Sequence, residues 1–233
     1  MGLADPLADG RGAGRLAGRR ALVVGDFGDA GAADGGALAA VAAALAEEGA
    51  AVAVAGDAGR PGAVAGPLPT ARTAARPTAR PGDAVPQARA HSAVERAAQG
   101  AAELGAWTLA LHCPMDGEAS CRAAVAHAAL EFGALDLLVA AVPPGPGAHR
   151  EAVAWLVRAA RDFMLPGASV VLAGAAWAPD PSGWARSLGA PLRNRGIRVG
   201  TAGARPSAGP GERARACVRA AVRNGVPSPV ARG

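Results

Sequence analysis

The stretch ALVVGDFGDAGAADGGALAAVAAALAEEGAAVAVAGD, residues 21–57, decides the fold. Its first five residues, Ala21–Gly25, form a short apolar run bounded by Gly and Asp, the pattern of a buried strand. Ala37–Glu48 (ALAAVAAALAEE) reads as a helix that Gly49 ends at a left-handed position. Ala51–Ala55 (AVAVA) is a second strand. Strand, helix and strand within about 35 residues make a right-handed crossover unit, because parallel neighbours need a long connection.

The same alternation continues outward. Ser92 is placed to cap a helix over Ala93–Leu104, which Gly105 ends, and Trp107–His112 (WTLALH) follows as a strand. Glu118–Phe132 is helical with Gly133 as terminator, and Leu135–Ala141 is a strand that Pro143 and Pro144 cut off. Arg150–Met164 carries Val153, Leu156, Val157, Ala160 and Phe163 at helical spacing. Ser169–Leu172 is the fifth strand, Trp184–Arg193 a short helix at best, Ile197–Thr201 the sixth strand and Glu212–Arg223 the last helix. Short parallel strands separated by helices specify an α/β, Rossmann-like, doubly wound sheet in a three-layer αβα arrangement of about six strands. Ligands of such sheets lie beyond the carboxyl ends of the strands, which here means the loops after Gly25, Gly56, His112, Ala141 and Ala173.

Composition sets the bounds of that fold. With 233 residues, 51% of them hydrophobic, the chain suffices for one domain, expected over 19–225 between a flexible leader (1–18) and a tail (226–233). Residues 58–90 interrupt the rhythm: Pro61, Pro67, Pro69, Pro77, Pro81 and Pro86 remove backbone donors and bar helix and central strand. This Pro/Arg-rich insertion reads as a disordered surface loop, or else as a lid or partner-binding segment. All 24 basic residues are Arg, and Tyr is absent. A lysine Schiff base, a phosphate-loop lysine and a tyrosine acid are thereby excluded.

Cys113, Cys121 and Cys217 match neither a disulfide framework nor a zinc-ligand spacing, so no metal is expected and a reducing compartment is. Met1–Arg20 has no apolar stretch, so the expectation is a soluble cytoplasmic protein without a membrane partner. A net charge of +5 and a pI near 10.7 invite a nucleic-acid reading. The arginines, however, sit in a Gly-rich leader (Arg11, Arg15, Arg19, Arg20) and a Pro/Ala-rich stretch (Arg72, Arg76, Arg80, Arg89) without aromatic platforms, so nucleic acid is not the expected partner.

Four stretches carry a resemblance to the short-chain dehydrogenase/reductase family: LAGRRALVVG (16–25), ALAEEGAAVAVAGD (44–57), DGEASCRAAVAHAALEFGALDLLVAA (116–141) and RGIRVGTAG (195–203). The resemblance implies a dinucleotide-binding sheet, with NAD or NADP held by Gly25 and by the helix-start amides of Gly35 or Gly36. Asp57 stands close to the position that meets the ribose hydroxyls, which favours NAD over NADP; otherwise Asp57 only opens the Pro-rich loop.

The chemistry-bearing positions depart from that family. Val24 replaces the Thr of the first turn, and the turn itself, Gly25–Gly36, is longer than usual and carries Asp26, Asp29 and Asp34, which oppose phosphates unless they point outward. Pro114 stands where an acidic residue follows the third strand, with Asp116 displaced from that place. Ala140, Ala141, Val142 and Pro143 replace Asn-Asn-Ala-Gly; Gly174 and Ala175 stand where the catalytic Ser is expected. The Tyr-x-x-x-Lys helix reads SGWARSLGAPLRNRG, and Ala204 and Arg205 replace a Pro-Gly. The general acid/base, its lysine and the orienting serine are all missing, and Arg does not relay protons as Lys does.

Other chemistry finds little support. His112 and Cys113 lie at a strand's carboxyl end, yet adjacent strand residues point to opposite faces, so a buried Cys and a rim His are expected rather than an activated pair. Cys121 and His127 are six apart on one helix and do not share a face. His91 and His149 fall in loops, and neither a Gly-x-Ser-x-Gly elbow nor His-Glu-x-x-His occurs. Trp155, Trp177 and Trp184 read as bulk for an Ala-rich core, the other reading being an aromatic pocket wall. No catalytic residue is assigned. The resulting expectation is a catalytically degenerate relative of the reductases, a binding or scaffold subunit in a homo- or hetero-oligomer with a homologue. The alternative is an NAD(P)-dependent oxidoreductase with a non-standard active site.

Overall fold

The structure, a computed structural model, describes residues 14–26, 35–57, 93–141, 148–174, 180–203 and 208–224. The Pro-rich insertion, the tail, residues 1–13 of the leader, Ser92, Pro143 and Pro144 lie outside the described residues.

Six strands form one sheet: β1 (Arg20–Val24), β2 (Ala51–Gly56), β3 (Thr108–His112), β4 (Leu137–Ala141), β5 (Ser169–Ala173) and β6 (Arg198–Ala202). Their order is β3-β2-β1-β4-β5-β6, and every pairing is parallel. The connecting helices are α1 (Gly35–Glu47), α2 (Ala93–Glu103), α3 (Glu118–Glu131), α4 (Ala148–Phe163), α5 (Pro181–Gly189) and α6 (Pro210–Arg223). The α/β Rossmann-like expectation holds, since right-handed crossovers with the order reversing between β1 and β4 leave α1, α2 and α6 on one face and α3, α4 and α5 on the other.

Strand alternation splits the side chains between two cores. Val23, Val52, Val54, Leu137, Val139 and Val171 meet α1, α2 and α6; Leu22, Val24, Leu111, Leu138, Val170 and Leu172 meet α3, α4 and α5. Because the helices contribute mainly Ala at these surfaces, they approach the sheet closely, and the larger residues Leu38, Val41 and Leu45 of α1 lock it in place. Gly49 ends α1 with φ of 88°, and a Cβ there would lie 3.1 Å from Ala17 Cα. A side chain would be both strained and crowded at that position.

Several boundaries differ from the sequence reading, each for a local reason. The helix expected at Trp184–Arg193 begins at Pro181, because Asp180 caps it by accepting the Gly183 N–H at 2.8 Å and Pro181 occupies the first turn, where no donor is needed. It passes into a 3₁₀ turn over Ala190–Arg195 that Gly196 closes at φ of 68°. His149 belongs to the first turn of α4, not to a loop. Trp107 precedes β3 and is 56% exposed, its ring meeting Phe132 edge-on with centroids 5.0 Å apart. Leu16, expected in the leader, is fully buried.

Charge closes the amino edge of the sheet. Asp136, buried just before β4, accepts from Arg20 N at 3.1 Å and Arg20 Nε at 2.7 Å, with Arg19 Nη1 at 3.6 Å. Buried Glu48 accepts from Arg15 N, Nε and Nη2 at 3.1, 3.2 and 2.6 Å. Two carboxylates thus draw residues 15–20 onto the base of the domain, each charge surrounded by the donors that its burial requires.

Candidate functional site

The opposite, carboxyl edge is where the topology opens a crevice, between the tips of β1 and β4. Gly25 stands at that point and donates its N–H to Ala55 O at 3.0 Å. A Cβ on Gly25 would fall 2.5 Å from Ala141 Cβ and 2.7 Å from Leu38 Cδ1. The two strand tips and α1 therefore converge so tightly that only hydrogen fits. Gly35 opens α1, and Gly36 is exposed with open space where a side chain would stand. The N-terminal turn of α1, with amides that have no partner inside the helix, thus begins on a surface that admits close approach of another group.

Asp26 and Asp57 follow β1 and β2 and are both exposed. Asp57 directly follows the carboxyl end of β2, the edge where the sequence placed it. Asp29 and Asp34 lie outside the described residues. Gly25, the start of α1 and Asp57 lie at one edge of the sheet.

The described tips of β4 and β5 carry no polar side chain. β4 ends in Ala140 and Ala141, and β5 in Ala173 with Gly174 at φ of 79°. From Ala140 to Gly147 and from Val170 to Pro179 the sequence contains no hydroxyl, thiol, imidazole, amine or carboxyl side chain. The described hydroxyls of α5, Ser182 and Ser187, are exposed. Trp184 and Trp155 are half-buried against the α3/α4/α5 core, and the Arg150 guanidinium lies 6.0 Å from the Trp184 ring. Their packing matches the core reading for these two; Trp177 and Ala175 lie outside the described residues. Among the described residues no group of three or more His, Cys, Asp or Glu could hold a metal ion.

At the left-hand end, β3 runs into a tight turn, Cys113–Gly117, before α3. His112 is only 3% exposed, so the expected rim histidine is instead buried, paired in register with Gly56. Cys113 is buried too and donates its N–H to Gly56 O at 2.8 Å. Met115, between Cys113 and the first turn of α3, takes a positive φ of 57°. There Cys113 Sγ donates to Ser120 O at 3.9 Å, one residue before the buried Cys121. Donation by Cys121 holds the Cys113 pKa below the usual thiol value against the opposing effect of burial, and it pushes Cys121 up.

The approach of Cys113 to the first turn of α3 escaped the sequence reading, which tested Cys113 against His112 and Cys121 against His127. The two cysteines stand eight positions apart, on different elements, so no single helical or strand period relates them. The available signal was the position of each, one at a strand's carboxyl end and one in the first turn of the following helix. His91 lies outside the described residues, and His127 is half-buried with Nδ1 lacking a hydrogen-bond partner.

No protein-family model matches the chain, and no curated protein sequence matches it. Solved structures do. A short-chain dehydrogenase from Mycobacterium smegmatis aligns over 91% of this chain and 88% of its own, with a TM-score of 0.61 at 17% identity. A short-chain dehydrogenase from Burkholderia cenocepacia, solved in complex with NADP, aligns over 80% of this chain and 74% of its own, with a TM-score of 0.54 at 25% identity. A short-chain dehydrogenase/reductase from Serratia marcescens gives 0.53 at 22% identity over the same shares. The chain has the fold of the short-chain dehydrogenases/reductases.

Proposed function

We propose that this chain, built on the short-chain dehydrogenase/reductase fold, is a catalytically degenerate member that binds rather than converts. The observation that carries the reading is the absence of a polar side chain at the tips of β4 and β5. Reduction of a carbonyl needs a proton donor at the developing alkoxide, and 140–147 and 170–179 supply none, in a chain without Tyr or Lys. Gly25, the start of α1 and exposed Asp57 support retention of a dinucleotide on the other half. A bound nicotinamide cofactor would supply hydride. The chain's own part is to seat pyrophosphate at the α1 amides and ribose hydroxyls at Asp57, whose charge favours NAD over a 2′-phosphate.

Titration of the purified chain with NADH and NADPH, followed by turnover assays over carbonyl and alcohol substrates, tests this. The reading expects tighter binding of NADH and no turnover. Turnover with either cofactor, abolished by Gly25→Val, overturns it. In that case the second reading holds, an NAD(P)-dependent oxidoreductase in which water or substrate provides the proton. The names of the structural neighbours favour it, since each is called a dehydrogenase or reductase. A binding subunit implies a partner, a second copy or an intact homologue, and light scattering alone and in mixtures measures that.

A further inference from the structure

We propose that the apolar patch around Trp107, at the outer side of the sheet, is the docking site of the chain's own Pro/Arg-rich segment, residues 66–82. Four large apolar side chains are exposed among the described residues. Three of them, Leu104 (46%), Trp107 (56%) and Leu130 (75%), gather where α2 ends, β3 begins and α3 ends. β3 is the outermost strand of the described sheet. The Trp107 ring meets Phe132 edge-on with centroids 5.0 Å apart, which ties the start of β3 to the end of α3 while more than half of Trp107 faces solvent. An aromatic fixed on one side and open on the other is a ready platform for a ligand. The patch lies at the amino end of β3, away from the carboxyl edge, so its occupancy is independent of any dinucleotide.

Charge selects the occupant. In a chain of 24 arginines, residues 97–149 hold only Arg122, against Glu103, Asp116, Glu118, Glu131 and Asp136. Asp136 and Glu118 already face arginines of other elements. Glu103, directly before Leu104, and Glu131, directly after Leu130, are exposed and have no cation partner among the described residues. Residues 58–92 reverse the balance, with Arg60, Arg72, Arg76, Arg80 and Arg89 against Asp83 alone. Within them GPLPTARTAARPTARPG (66–82) interleaves Pro67, Leu68, Pro69, Pro77 and Pro81 with Arg72, Arg76 and Arg80. Proline has already lost its backbone freedom, so such a segment lies on an aromatic platform at low entropic cost, and guanidinium groups stack on indole faces. A second copy offers no such match, because a two-fold contact through this patch sets its acids against themselves.

The connection is long enough. β2 ends at Gly56 and α2 begins at Ala93. The patch stands at the far end of α2, about 16 Å from its start at 1.5 Å per residue. Arg80 is 13 residues before Ala93, and extended chain of that length spans about 43 Å.

The test is limited trypsin digestion of the full native chain, with the fragments timed by mass spectrometry. Arg76 and Arg80 precede prolines and resist the protease, so the Arg72–Thr73 bond reports the docked segment and Arg89–Ala90 the chain beside it. Trp107→Ala, and separately Glu103→Arg with Glu131→Arg, should speed the cut at Arg72–Thr73 about threefold or more, because cleavage follows the undocked population. Arg89–Ala90 should keep its rate. Arg76→Glu with Arg80→Glu should release the segment from its own side, and combining the two reversed charge pairs should restore the slow cut. Added salt should speed it. An Arg72–Thr73 rate that no variant moves, variants that speed both bonds alike, or failure of the combined reversal to restore the slow cut would each overturn the proposal. So would protection that grows with protein concentration, since the segment on the patch would then belong to a second copy.

Discussion

At the residue scale, Gly25 and Asp136 show how little freedom two positions have. Gly25→Ala places a carbon 2.5 Å from Ala141 Cβ and 2.7 Å from Leu38 Cδ1, so a strand tip or α1 must move. We expect a stability loss of about 1–3 kcal/mol in urea denaturation, together with weaker NADH binding. Asp136→Ala strands Arg20 and Arg19 at a site where the carboxylate is 7% exposed. Removing one partner of a buried pair costs about 3–5 kcal/mol, and the 29% exposure of Arg20 lets water recover part of it, so about 2–3 kcal/mol is expected. Cys217 makes a prediction in pH. Burial pushes its pKa from 9.0 up to about 12. Between those values the unfolded chain has released the thiol proton and the folded chain has not, so stability falls as pH rises, by about 1.4 kcal/mol per unit at most. Thermal melts from pH 8 to pH 11 should show a downward slope that Cys217→Ala flattens.

At the scale of elements, the helices differ in what holds them. α5 owes its start to Asp180, and Asp180→Ala should cost about 1 kcal/mol and loosen α5 first in hydrogen exchange. The seam between α3 and α4 is laced by Arg122–Asp162 and Arg158–Glu118, all largely exposed, so Arg158→Ala should change stability by less than about 1 kcal/mol. The contrast explains which elements the sequence disclosed. Strands made of Val, Leu and Ala bounded by Gly are legible because burial on both faces leaves few other solutions, and α1 is legible from Gly49. α5 was seen short because its start signal, Asp180 directly before Pro181, was passed over.

For the whole molecule, the site was legible only as a location. The alternation of strands and helices placed Gly25, Gly35, Gly36 and Asp57 at one edge, as topology requires. What fills the remainder of that edge could be read only as missing letters, and the structure adds that β4 and β5 end in alanine. The two ends of the sheet now differ in kind. At the amino pole, Arg15, Arg19 and Arg20 clasp Glu48 and Asp136; at the carboxyl pole, β4 and β5 end in alanine. A substitution at one pole leaves the contacts of the other untouched, and sites so far apart add independently. Selection can therefore erase a reaction from such a molecule without eroding the body that carried it, and could write another there by the same route. The clasp is what makes the opposite end editable.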